Sequence, residues 1–333
     1  MKEPSSNTIN AAAQLLRDGG LVAFPTETVY GLGANACNPK AVRRIFETTG
    51  RSADQPLILH LSRIDKLDYW ARDIPEAAWR LVERFWPGPL TLILKRKYAP
   101  LEMTCGQDTV GLRVPDHPVA LALLEAFGGG VAATSANRFG QVSPTRARHV
   151  RKELKGKVDM ILDGGPCRVG VESTILSFAD EQPRLLRPGA IPLSALQEVL
   201  GAEITTLTSV GGIQAPTMFS SHYAPVTQFE VWPIDALRQR GEDLAHSGIR
   251  AAVIFVGSVK SKIPETPALF PFFMPAEPAD YARKLYAVLR LLDGAGFGVL
   301  LAESPPDTEA WQAVNDRLQH VRCNRNNIWE HRA

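Results

Sequence analysis

Pro25-Thr26-Glu27-Thr28-Val29-Tyr30-Gly31-Leu32-Gly33-Ala34-Asn35-Ala36 follows directly on the apolar run Leu21-Val22-Ala23-Phe24. The apolar run reads as a buried strand. Pro25 ends its pairing because it has no N–H to donate. Thr26, Glu27, Thr28 and Tyr30 then supply polar groups, and Gly31 and Gly33 supply a backbone free to turn sharply or approach a ligand closely. So many hydroxyls and glycines straight after a core strand point to a binding loop at the end of a sheet.

Working outward, helices and strands alternate. Asn7 or Thr8 can cap a helix through Asp18, with Ile9, Ala12, Leu15 and Leu16 on one face and Gly19-Gly20 as its stop. Pro39 suits the first turn of a second helix, whose buried stripe is Val42, Ile45 and Phe46. In the run Leu57-Ile58-Leu59-His60-Leu61 the leucines share one strand face, so His60 emerges on the other. Trp86-Pro87-Gly88-Pro89 is a stiff turn before a strand over Leu90–Leu94. Val110–Val114 carries Arg113, and Val131–Ala133 opens into Thr134-Ser135-Ala136-Asn137. Val158–Leu162 and Thr174–Phe178 read as further strands, and a helix over Leu193–Leu200 follows. Mixed strands and helices with polar strand ends predict an α/β sheet with a concave face. Residues 201–225 are rich in Thr, Ser, Gly and Pro and read as a linker. The strands Ala251–Phe255 and Gly298–Leu301, with helices near Ala279–Leu292 and Thr308–Leu318, predict a smaller doubly wound domain.

Composition bounds the function classes. The chain of 333 residues is 45% hydrophobic and 22% charged, and 37 basic against 35 acidic residues leave a net charge of +2. That balance argues against a strongly basic nucleic-acid binder but permits a nucleotide site, which needs only a few cations. The four cysteines form no C-x-x-C, which argues against a zinc site or disulfide framework and suits a reducing cytosol. No stretch approaches the roughly 20 apolar residues of a membrane span, and no apolar signal core follows Lys2, so a soluble cytoplasmic protein is expected.

Gly31-x-Gly33-x-x-Ala36 matches the dinucleotide fingerprint only formally, because six residues separate Phe24 from Gly31. No phosphate-binding G-x-x-x-x-G-K-[ST] occurs. Arg51, Arg113 and Arg187, set among Ser135-x-Asn137 and Glu172-Ser173-Thr174, suit phosphate or carboxylate, which guanidinium groups grip bidentately. The plainer alternative is three surface ion pairs. Neither Ser135 nor Ser173 lies in a nucleophile elbow, so their hydroxyls read as ligand donors.

In order along the chain, Pro25–Ala36, the His60 strand, Trp86-Pro87-Gly88-Pro89-Leu90-Thr91, Val110–Pro115, Ser135-Ala136-Asn137, Ser143-Pro144-Thr145, Gly170–Thr174 and Leu186-Arg187-Pro188-Gly189 resemble the YrdC-like family. His222-Tyr223-Ala224-Pro225 marks the long, two-domain form of L-threonylcarbamoyladenylate synthases. The resemblance implies a YrdC-like twisted mixed sheet over residues 1–200, a linker over 201–225 that closes over the site, and a Rossmann-like α/β domain over 226–333. It also implies an activity: L-threonine, bicarbonate and ATP, with Mg²⁺, give threonylcarbamoyl-AMP and pyrophosphate. A partner transferase then modifies tRNA, and weak RNA binding is a further implied property. Thr26, His60, Arg113, Thr134 and Ser173 would hold threonine. Arg51, Gln55, Thr109, Ser135, Asn137, Ser143, Arg187 and Tyr223 would hold ATP, with Arg51 and Arg113 carrying catalysis. Metal ligands are not assigned. The chain departs from the family where Thr49, Ser52 and Gln55 replace the usual Lys, Pro and Asn. A second reading therefore stands beside the synthase: a divergent paralogue, either another carbamoyl-transfer enzyme or a non-catalytic nucleotide- or RNA-binding regulator.

Overall fold

Pro25–Ala36 divides into a turn and a strand, and that strand lies inside the largest sheet, third from one edge. The computed structural model describes residues 4–180, 182–206, 224–258 and 267–322. They form two compact units, one drawn from residues 1–139 and 143–218, the other from 140–142 and 219–333.

The first unit is built on ten strands: β1 (Val22–Phe24), β2 (Gly31–Asn35), β3 (Ile58–His60), β4 (Leu90–Lys95), β5 (Thr109–Arg113), β6 (Val131–Ser135), β7 (Met160–Ile161), β8 (Thr174–Ser177), β9 (Arg184–Arg187) and β10 (Thr205–Thr206). Their order across the sheet is β10-β9-β8-β4-β5-β3-β6-β2-β1-β7, with parallel and antiparallel neighbours mixed. Thr205–Thr206, read from the sequence as linker, pair in parallel with β9.

The glycines of the opening stretch do not serve the purpose first read into them. Gly31 and Gly33 lie within β2, paired antiparallel with β1 on one side and β6 on the other. A Cβ on Gly33 would come within 2.6 Å of Val131 Cγ1 and 2.8 Å of Phe24 Cε1. They are small because neighbouring side chains fill the space above them, not because a ligand passes close to the backbone.

One face of the sheet carries the main core: Leu32, Leu57, Leu59, Leu61, Leu92, Leu112 and Ala132 are all buried in it. Helices cover that face, among them Pro39–Thr49, capped by the Asn38 side chain at its start and by left-handed Gly50 at its end, and Glu76–Phe85. A second cluster packs Ser6–Arg17 and Pro118–Phe127 over Val22, Phe24, Val131 and Ala133. The first of these helices starts two or three residues earlier than expected because Ser5 is its cap.

The second unit holds a four-stranded parallel sheet of β11 (Gln228–Trp232), β12 (Ala251–Val256), β13 (Leu269–Met274) and β14 (Val299–Glu303), in the order β11-β14-β12-β13. Helices Ile234–His246, Pro278–Asp293 and Gln312–Arg322 accompany it. This is the expected smaller α/β domain. Sequence reading did not mark β11, β13 or the helix Ile234–His246. The charge on Glu230 and the prolines at Pro233 and Pro271 interrupt the patterns by which strands and helices are read.

Candidate functional site

Thr26 begins a tight turn at the end of β1. Its hydroxyl donates to the Val29 carbonyl at 2.6 Å and accepts from the backbone N–H groups of Thr28 and Val29, each at 3.2 Å. The turn is tied to two distant loops: Val169 N–H donates to the Glu27 carbonyl at 2.7 Å, Gly170 N–H to that of Thr28 at 3.1 Å, and Tyr30 N–H to that of Pro144 at 2.8 Å. The Tyr30 hydroxyl donates to the Gly165 carbonyl at 2.7 Å, and burial pushes its pKa well up. Residues 26–30, 144–145 and 165–170 therefore form one hydrogen-bonded block.

Strand register shows which candidates share a face, because residues directly opposite one another project to the same side. Arg113 is opposite His60, Gly111 is opposite Ile58, Ile58 is opposite Ala133, and Gly31 is opposite Ser135. Ile93 is opposite Gly111, Thr91 is opposite Ile175, and Ile175 is opposite Arg187. Thr109, Arg113, His60, Ser135 and Arg187 thus occupy the face away from the leucines. Thr134, expected beside them, is opposite Leu32, and strand alternation turns its side chain to the leucine face.

Arg113, His60, Ser173 and Arg187 gather at one end of this face. Arg113 Nε donates to the Gly88 carbonyl at 3.2 Å, and Nη2 lies 2.6 Å from Glu27 Oε1 in an ion pair with both side chains buried. His60 Nδ1 faces the Ile58 carbonyl at 3.1 Å, and its ring meets Phe24 edge-on at 5.8 Å between centroids. Burial, and after it the positive charge of Arg113, push the imidazole down to about 3. The ring is therefore neutral near pH 7. A proton on Nδ1 directed at the carbonyl leaves Nε2 as a lone-pair acceptor. Arg187 grips residue 173 twice, Nε to its carbonyl and Nη2 to its hydroxyl, each at 3.0 Å. The Ser173 hydroxyl also meets that of Thr91 at 2.8 Å.

Toward the other end lie Ser135 and Thr109, four residues along their strands from the first group, or roughly 13 Å, and Arg51, in the loop before β3, joins them. Arg51 Nη2 donates to the Ser135 hydroxyl at 2.9 Å, and its guanidinium lies 6.0 Å from the Phe139 ring centroid. Thr109 Oγ1 donates to Gln107 Oε1 at 3.3 Å. Gln55 is buried, with no hydrogen-bond partner on its carbonyl oxygen among the described residues. Asn137 Nδ2 donates to the Arg138 carbonyl at 2.8 Å. The Ser143 hydroxyl donates to Glu172 Oε1 at 2.6 Å, within the buried interior. Tyr223 lies outside the described residues. Thr49, where relatives of this pattern are expected to carry Lys, is buried and donates to the Ile45 carbonyl of its own helix at 2.7 Å.

The sequence reading missed Glu27 and Glu172 as partners of Arg113 and Ser143. The signal was there for Glu27, a charged residue between two hydroxyl-bearing threonines, all three of them buried. Its partner, 86 residues away in the sequence, could be found only once β1 and β5 were placed.

A broad mixed sheet whose polar face bears buried arginines and hydroxyls defines an α/β protein with a candidate ligand site on that face. A family model named for Sua5, YciO and YrdC, and described as "telomere recombination", matches residues 14–189. A second, described as "Threonylcarbamoyl-AMP synthase, C-terminal domain", matches residues 191–320. The chain is 43% identical to the threonylcarbamoyl-AMP synthase of Pyrococcus abyssi, over 93% of each chain. It is 41% identical to that of Bacillus subtilis, over 93% of this chain and 91% of the relative. The crystal structure of Pyrococcus abyssi Sua5 complexed with L-threonine is similar with a TM-score of 0.89 and 40% identity, covering 97% of this chain and 96% of the other. The chain belongs to the Sua5/YciO/YrdC family, in its two-domain form.

Proposed function

We propose that this protein is a threonylcarbamoyl-AMP synthase: L-threonine, bicarbonate and ATP become threonylcarbamoyl-AMP, pyrophosphate and water. The observation that carries the reading is the buried group of Arg113, neutral His60 and Arg187-bound Ser173 on one sheet face, in a chain 40% identical to a structure solved with L-threonine.

The amine of threonine and bicarbonate condense to a carbamate with loss of water. A carbamate oxygen then bonds to the α-phosphorus of ATP as the bond to the pyrophosphate oxygen breaks. No protein nucleophile is needed, so catalysis rests on positioning and charge stabilisation. Arg113 would take the threonine carboxylate, and His60 Nε2, an acceptor, would take a donor of the same ligand. Thr26 and Ser173 are the remaining proposed threonine contacts, and Thr134, whose side chain lies on the leucine face, could contribute only through its backbone. With its hydroxyl engaged in its own turn, Thr26 would act mainly by shaping the pocket. Arg51, Gln55, Thr109, Ser135, Asn137, Ser143, Arg187 and Tyr223 would hold ATP. The Gln55 carbonyl oxygen, without a partner among the described residues, would accept from a donor such as the adenine amine or ribose hydroxyl.

Mg²⁺ would accompany the nucleotide. It keeps several waters and binds mainly through phosphate oxygens, whose charge it neutralises. Among the described residues no group of three or more His, Cys, Asp or Glu could hold a metal. The product would pass to a tRNA threonylcarbamoyl transferase in the cytoplasm, and weak RNA contact would assist the hand-over. No described helix is long and apolar enough to cross a membrane.

Incubating the protein with threonine, bicarbonate, Mg²⁺ and ATP tests the reading. Threonine-dependent pyrophosphate and threonylcarbamoyl-AMP are expected; ATP binding with no threonine-dependent product would favour the divergent paralogue instead.

A further inference from the structure

We infer that Glu27 is a positioning residue for Arg113 and, through it, for the carboxylate of the amino-acid substrate; this rests on the reading of Arg113 as the arm that receives that carboxylate. Glu27 and Arg113 are 1% and 4% exposed, so each charge has lost its water and must be answered by the other. Neither carboxylate oxygen of Glu27 accepts an aligned hydrogen bond among the described residues, although Oε1 is 2.6 Å from Arg113 Nη2. The carboxylate therefore has one electrostatic counterpart and acts by charge on it.

The backbone makes that action directional. Val169 N–H on the Glu27 carbonyl and Gly170 N–H on that of Thr28 fix the chain immediately after the Glu27 side chain. The Gly88 carbonyl holds Arg113 Nε and Glu27 lies against Nη2, so two nitrogens of a planar fork are engaged, and Nη1 has no partner among the described residues. Register places that fork directly opposite His60 on the neighbouring strand. The buried Cys167 thiol lies close enough to sense the pair. Burial first, and then the charge of Glu27, raise its pKa. Without Glu27 the guanidinium keeps only the Gly88 contact and can swing about its long side chain. A misplacement of about 1 Å at a reacting centre can cost 100-fold in rate. An ion pair kept only for stability would be a poor use of this position, since buried pairs often contribute no more than apolar residues of the same size.

The test is a double-mutant cycle on the full chain, using Glu27→Gln, Arg113→Lys and the combination, with threonine-dependent pyrophosphate release and calorimetric threonine binding as readouts. Glu27→Gln is expected to raise the threonine KM at least tenfold while the ATP KM stays within twofold. In the Arg113→Lys background the same change should add no more than about twofold. Glu27→Asp, which keeps the charge with a shorter reach, should fall between wild type and Glu27→Gln, and it serves in place of Glu27→Gln if that variant does not fold. An unchanged threonine KM, effects that multiply across the cycle, or equal increases in both KM values would overturn the inference. Wild-type protein that neither binds nor consumes threonine would instead overturn the functional reading beneath it, and the inference with it.

Discussion

His60 and Arg113 face each other in register across β3 and β5, and burial with the neighbouring guanidinium holds the imidazole neutral. The shift has a sign that can be checked. The folded-state pKa, about 3, lies below the ordinary value of 6.5. The unfolded chain therefore binds the proton first. The stability from keeping His60 neutral is fully present above pH 6.5 and is lost as the pH falls toward 3, at no more than about 1.4 kcal/mol per pH unit for one group. Urea midpoints measured from pH 7.5 to 4.5 should fall more steeply for the wild type than for His60→Asn. Parallel curves would show that His60 is not the titrating group.

Arg187 and Ser173 form a paired contact that a lysine cannot reproduce. One guanidinium reaches both the carbonyl and the hydroxyl of Ser173, whereas an ammonium is a single point on a flexible stem. Arg187→Lys should cost about 1–3 kcal/mol of stability, from the buried acceptor left unmet. Threonylcarbamoyl-AMP formation should fall at least tenfold. Differential scanning calorimetry and a product assay read the two effects separately, and a variant as stable and active as wild type would remove Arg187 from the site.

Gly33→Ala places a methyl 2.6 Å from Val131 Cγ1 and 2.8 Å from Phe24 Cε1. Overpacking of this kind typically costs about 1–3 kcal/mol. Chemical denaturation should show a loss of that size. Gly50→Ala meets nothing within 4 Å but forces a left-handed cap with φ 68 on alanine, so its loss should be smaller, about 1 kcal/mol. Equal losses would mean that crowding at Gly33 is relieved by movement of Phe24.

Ser143→Ala removes the donor held 2.6 Å from Glu172 Oε1. A buried acceptor deprived of a partner costs about 1–3 kcal/mol, more when it is charged. Stability should fall by that amount. The ATP KM should rise while the threonine KM stays within twofold, as steady-state kinetics with each substrate varied in turn would reveal. A rise confined to threonine would reassign Ser143 to the other substrate.

The amino-acid sequence by itself determined the alternation of helices and strands, the stop at Phe24-Pro25 and the helix from Leu193 to Leu200. It also determined that His60 would emerge opposite the leucines. Each of these follows from local rules: side-chain period, proline's missing N–H and the geometry of helix ends. Only the tertiary structure decided that Gly31 and Gly33 belong to an interior strand, because their neighbours Phe24 and Val131 come from two other strands. The same holds for the partner of Glu27, for Thr134 turning to the leucine face, and for Thr49 bonding back onto its own helix. The opening stretch, first legible as a binding loop, is in the folded protein a turn that aims one carboxylate at Arg113 and a strand that carries the sheet onward. Sequence shows which groups are present; which of them meet depends on register between strands far apart in the chain, and that is set by packing.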